Sequence, residues 1–205
     1  MTSRTYVPAL ALGGAALAIA GLASAQGLPK PSHDYQAAPA GDYAIDPHHT
    51  GVIAHVPHLG FSYSIFRFET VSGTLAWNPA NPAADKLSVT VDPKSIQTSP
   101  TPGFSQEIDE RFLKTAQFPT ATFVSTAFHP EGPTRGRVEG DLTLLGVSRH
   151  VTFDVDLVGA GKAFKGAVIG VHAHTELDPK IYSLPGFITG PIQLVIDTEF
   201  DQKPG

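Results

Sequence analysis

Apolar and polar residues alternate one for one along most of this chain, and no other feature constrains its fold as tightly. Leu87, Val89 and Val91 alternate with Ser88, Thr90 and Asp92; Val151, Phe153, Val155 and Leu157 alternate with Thr152, Asp154 and Asp156. Leu142 and Leu144 alternate with Asp141 and Thr143, and Leu194, Ile196, Thr198 and Phe200 with Val195, Asp197 and Glu199. Successive side chains of a strand point to opposite faces, so a period of two marks a strand with one buried face. Such runs occupy 43–46, 51–58, 65–77, 86–92, 120–128, 136–145, 149–158, 165–177 and 190–200, with turn residues between them at Asn78-Pro79, Asn81-Pro82, Gly132-Pro133, Gly146 and Gly159 to Gly161.

One segment departs from that rhythm. In FSQEIDERFLKTAQF, residues 104–118, Phe104, Ile108 and Phe112 recur every four positions among charged and amide residues, which predicts an amphipathic helix of about three turns. A single short helix cannot cover the apolar face of so many strands, so the economical solution is to close the sheet on itself. The expected fold is all-β: an extended antiparallel eight-stranded barrel with one short α-helix near its mouth.

Residues 1–25 carry Arg4, an Ala/Leu/Gly-rich apolar run and the small residues Ala23, Ser24 and Ala25, the pattern of a cleavable signal peptide. The run is too short and too rich in Ala and Gly for a membrane span. Export is expected, and the protein is not expected to span a membrane. Residues 26–41, rich in Pro and Ala, read as a flexible linker ahead of one domain over 42–203. Cysteine is absent, so stability has to come from a core and no disulfide framework is available. A net charge of −5 with scattered basic residues makes nucleic acid an unsuitable partner.

Catalytic patterns are missing. There is no G-x-S-x-G elbow, no thiol and no glycine-rich phosphate loop, and the neighbouring carboxylates Asp109 and Glu110 read as a solvated helix face. An enzyme acting on an isoprenoid therefore ranks last among the readings. Histidines offer an alternative: His172 and His174 lie two apart on one strand face, and with His49 and His58 could converge on zinc, copper or haem. Without a ligand spacing or a cysteine beside them, hydrogen-bonded surface histidines are the plainer reading.

Large apolar side chains are plentiful. Phe61, Phe66, Phe68, Leu75, Trp77, Phe104, Ile108, Phe112, Leu113, Phe118, Phe123, Leu144, Phe153, Ile169 and Tyr182 are the candidates to line an apolar tunnel and its lid. Core packing is the competing role of each, and a filled barrel would need no ligand.

Several motifs in order resemble one family. Tyr43-x-Ile45-Asp46-x-x-His49-Thr50 is similar to the opening Y-x-I-D-x-x-H-S of the YceI-like, polyisoprenoid-binding proteins. His58 to Ser62, Phe68 to Leu75, Ser95-Ile96-Gln97-Thr98, Phe118 to Phe123 and Gly140 to Val147 resemble its later signatures, so the likeness runs from Tyr43 to about Phe200. The chain departs from the pattern at Phe66, at Ile108 to Leu113 and at Leu177 to Pro185. The resemblance implies a lipocalin-like barrel in the periplasm that carries a polyisoprenoid, isoprenoid quinone or similar long-chain amphiphile without catalysis. Its only cofactor-like molecule would be the bound isoprenoid or other lipid. The polar head is then expected near the barrel mouth at Tyr182, Ser183 or the helix, and a homodimer along an exposed strand is left open.

Overall fold

The computed structural model describes residues 28–204, so the expected signal peptide over 1–25 lies outside the described residues. The alternating runs become β1 (Gly41–Ile45), β2 (Gly51–His58), β3 (Ser62–Phe68), β4 (Val71–Trp77), β5 (Lys86–Val91), β6 (Ile96–Gln97), β7 (Ala121–Pro130), β8 (Arg135–Leu144), β9 (Val147–Lys162), β10 (Ala167–Leu177) and β11 (Ile192–Gln202). They form one antiparallel sheet in the order β1-β4-β5-β7-β8-β9-β10-β11-β2-β3-β6, and β1 also pairs with β11. The eight strands from β1 to β11 thus close on themselves, which is the barrel the alternation predicts.

Strands β2, β3 and β6 continue β1, β4 and β5 beyond three breaks. The first break is a 3-10 turn, Pro47–His49, in which Asp46 Oδ1 accepts the His48 N–H at 2.8 Å. A second Asp-Pro pair repeats the device at Pro93–Ser95, where Asp92 Oδ1 accepts from Lys94 N–H at 2.8 Å. Proline supplies the turn's φ and has no N–H to leave unpaired. The run expected as one strand over 65–77 is two, parted at Glu69 and Thr70, whose N–H groups both donate to Ser95 Oγ at 3.1 and 2.9 Å. Side-chain capping replaces the ladder there, so the break carries no orphaned amide.

Past the breaks, β5 has neighbours on both sides whereas β6 pairs with β3 alone. The chain from β6 to β7 crosses this end of the barrel as α1 (Phe104–Ile108), extended by one π turn over Asp109–Leu113. Phe104, Ile108 and Leu113 pack against the buried core. The helix expected to reach 118 stops at Leu113 because Lys114 turns left-handed, φ 50°. Asp109 then binds the Thr115 N–H and hydroxyl at 2.9 and 2.8 Å.

Two hairpins, at Leu59-Gly60 and Leu145-Gly146, carry two successive residues with positive φ (53° and 78°; 52° and 74°), the turn that matches strand twist. Glycine at 146 is also needed for space, since a Cβ there would lie 2.8 Å from the Phe118 ring. The segment 26–41 was expected to be a flexible linker, but from Pro31 onward it is fastened to the barrel. Ser32 and Ala160 exchange backbone hydrogen bonds at 2.8 and 2.9 Å, Tyr35 N–H donates to Pro133 O at 3.0 Å, and Ala38 is fully buried. Its Pro/Ala composition gives no period because an isolated bridge at Ser32 and a single 3-10 turn over Tyr35–Ala37 dock it.

Candidate functional site

The inward side chains do not fill the barrel. Phe123, Val138, Leu142, Phe153, Val155, Ile169, Val171, Ala173, Leu194 and Ile196, contributed by five consecutive strands, surround a cavity of about 270 Å³ together with Leu75, Leu87 and Val89. Strand parity builds this wall. Phe153, Val155 and Leu157 of β9 face it while Thr152, Asp154 and Asp156 face out; in β8, Val138, Leu142 and Leu144 face it while Glu139 and Asp141 face out. β-Bulges at Ser125/Ala127 and Gly170/Val171 sharpen the local bend that closure needs.

Cavity-lining residues run along β4 from Val71 to Trp77, roughly 20 Å at the rise of a strand. One end lies under the helix, beside Leu113, Leu144 and Leu177; the other is bounded by Tyr35, Trp77, Asp85 and Pro133. A dry void of this volume forgoes packing on the order of 6 kcal/mol, at about 24 cal/mol per Å³. That is comparable with the whole stability of a domain. An apolar occupant of the cavity would restore those contacts.

Of the residues singled out from the sequence, Phe68, Leu75, Trp77, Leu113, Phe123, Leu144, Phe153 and Ile169 line the cavity. Phe66 and Tyr182 are buried in the adjoining core, and Phe104 and Ile108 pack onto it from the helix without reaching the cavity wall. Phe112 turns aside to stack edge-on against Phe187, ring centroids 5.7 Å apart, with the Arg111 guanidinium over its face. Phe118 covers Gly146, and Phe61 is 90% exposed because the left-handed Leu59-Gly60 turn carries the β2–β3 tip past the barrel.

The four histidines do not converge. His172 and His174 share the outer face of β10 with ring centroids 6.0 Å apart, His172 bonded to Asp197 at 2.8 Å and His174 beside Asp154 at 3.8 Å. His58 is at the hairpin tip, exposed. His49 Nδ1 lies 2.6 Å from Asp46 and 3.8 Å from Glu199. Among the described residues, Asp46, His49 and Glu199 are the one group able to offer a cation three ligand atoms, all within 4.8 Å of one another. Their mutual ion pairing already accounts for the arrangement: it raises the His49 pKa above its ordinary value and lowers that of Asp46.

Among the described residues, three buried side-chain polar atoms have no partner: Trp77 Nε1, Asp85 Oδ2 and Tyr182 Oη. Two belong to cavity-lining residues at the end away from the helix. Asp85 is 7% exposed, its Oδ1 accepts the Asn78 N–H at 2.6 Å, and burial pushes its carboxyl up to about 6. Of the places expected to meet a polar head, Tyr182 is fully enclosed off the cavity wall, Ser183 is exposed at the end of a 3-10 turn, and the helical segment reaches the cavity through Leu113. Sequence reasoning missed Asp85. Its signal was parity, since it is two residues before Leu87 and so shares the inner face of Leu87 and Val89.

The family model described as YceI-like domain matches residues 43–200. Protein YceI of Escherichia coli O6:H1 is 34% identical over 170 residues, covering 80% of this chain and 88% of that protein. In structure, Burkholderia cenocepacia BcnA is similar with a TM-score of 0.65 at 20% identity, over 76% of this chain and 98% of that one. A polyisoprenoid binding domain from Saccharophagus degradans, implicated in plant cell wall breakdown, is similar with a TM-score of 0.58 at 13% identity, over 78% of this chain and 98% of that one.

Proposed function

Because the chain belongs to the YceI-like family, we propose that it is a binding protein that holds a polyisoprenoid, isoprenoid quinone or similar long-chain amphiphile in its barrel. The observation that carries this reading is the unfilled apolar cavity running the length of β4. A chain laid along it contributes about 0.8 kcal/mol for each methylene removed from water, so walls suffice and few polar anchors are needed. The fold shared with a polyisoprenoid binding domain supports the ligand class.

The reading is of a carrier without catalysis. The cavity wall carries no ordered nucleophile, base and acid, and its one buried ionisable side chain, Asp85, has no catalytic partner. The signal-peptide pattern of residues 1–25 supports a periplasmic location. No helix among the described residues is long and apolar enough to cross a membrane.

Delipidated protein offered isoprenoid alcohols, quinones and hydrocarbons should retain one chain per barrel in native mass spectrometry. Retention of none of them contradicts the reading.

A further inference from the structure

We propose that the end of the cavity formed by Trp77 and Asp85 is the head-group site, and that it takes an uncharged hydroxyl. The inference rests on the carrier reading and adds to it which end receives the polar terminus and what chemistry that terminus has.

Ala76 pairs with Lys86 in the β4–β5 ladder, so Trp77 and Asp85 stand opposite each other one step further on. Leu75 and Leu87, also opposite each other, line the cavity, and the alternation puts Trp77 and Asp85 on that same inner face. Both side chains line the cavity, and each has a buried polar atom without a partner, Nε1 of Trp77 and Oδ2 of Asp85. A buried polar group left unbonded is destabilising, and native structures rarely keep such groups without a role.

The two atoms are chemically complementary. Indole Nε1–H only donates, and an ionised carboxylate oxygen only accepts. A group that satisfies both must itself accept one hydrogen bond and donate one, which a hydroxyl oxygen does. A phosphate or carboxylate terminus would bring a second negative charge against Asp85. Arg135 and Arg137 border this end of the cavity, but each is already paired with a carboxylate, Arg135 with Asp156 at 3.0 Å and Arg137 with Glu131 at 2.8 Å. A hydrocarbon would leave both atoms unbonded. The fastened segment around Tyr35, whose ring stacks edge-on against Trp77 at 6.0 Å, shields this end.

Trp77 is the single tryptophan of the chain, so its emission reports occupancy of this end directly. Wild-type protein and Asp85→Asn would be titrated with geranylgeraniol and with geranylgeranyl methyl ether, which keeps the accepting oxygen and loses the donor. The alcohol should bind wild type about tenfold more tightly than the ether, and the preference should fall to about threefold or less in Asp85→Asn. Trp77→Phe, followed by native mass spectrometry, should weaken both ligands, since both accept from the indole. Equal binding of alcohol and ether to wild type, or a preference that survives Asp85→Asn, overturns the head-group site and leaves the carrier reading standing. If neither ligand binds any variant and no other chain does, the carrier reading falls and this inference with it. The wild-type comparison holds whether or not a variant folds.

Discussion

Phe123 of β7 and Phe153 of β9 meet edge to face across the cavity wall, ring centroids 5.1 Å apart and planes 82° apart. The contact spans β8, and it is allowed because Gly140 between them has no side chain: a Cβ there would lie 2.5 Å from the Phe123 ring. Both rings are nearly buried, so Phe153→Ala should lower stability by about 3–5 kcal/mol. Urea denaturation of the empty protein measures it; a loss under about 1 kcal/mol would mean that the rings are not packed as described.

Filling the hollow separates packing from binding. Ala173 lines the cavity between Val155 and Ile196. Ala173→Leu should raise the stability of the empty protein by up to about 2 kcal/mol and lower uptake of a C20 isoprenoid at least tenfold. Undiminished uptake would place the ligand elsewhere.

Asp85 gives the empty barrel an unusual pH dependence. Its folded pKa, about 6, lies above the ordinary carboxyl value of 3.8, so the native state binds more protons than the unfolded state between those values. Stability therefore falls as pH rises from about 4 to 6 and stays lowered above, by on the order of 1–3 kcal/mol. Asp85→Asn should abolish that slope and stabilise the empty protein at neutral pH. An unchanged slope in the variant's thermal melts would assign it to another group.

The Asp46–His49 pair contributes stability that is lost on both sides of a middle pH range, His49 with the same sign as Asp85 and Asp46 with the opposite one. The raised His49 pKa contributes stability that is full below about 6.5 and lost as pH rises through its folded value. The lowered Asp46 pKa contributes above about 3.8, and that is lost as pH falls through its folded value. By NMR, His49 should titrate above 6.5 and move back toward that value in Asp46→Asn. Titration at an unshifted position in wild type would show that the ion pair does not form in solution.

The strands and the inner wall were legible because alternation is a local signal: Leu87 and Val89, or Phe153 and Val155, declare their face without knowledge of any partner. The runs end at Asp46 and Asp92, where Asp-Pro pairs carry turn chemistry, but an Asp-Pro turn does not show that the sheet resumes beyond it, and the break at Glu69-Thr70 inside the run 65–77 leaves no turn residue to reveal it. Phe61, Phe112 and Phe118 were read as tunnel residues on hydrophobicity alone. Their faces depend on left-handed residues at Leu59, Lys114 and Leu145, which no periodicity reveals. Asp85 was passed over for the opposite reason: it is polar at an apolar position, where a departure from pattern is often the functional feature.

The central claim is that this barrel carries a long apolar chain. Protein purified without detergent from its native host should be extracted with organic solvent and the extract identified by mass spectrometry. The account predicts a single isoprenoid or similar long-chain amphiphile in near-stoichiometric amount, with a hydroxyl at its polar end. Protein that is empty on isolation, and that takes up no chain when offered one, would contradict it.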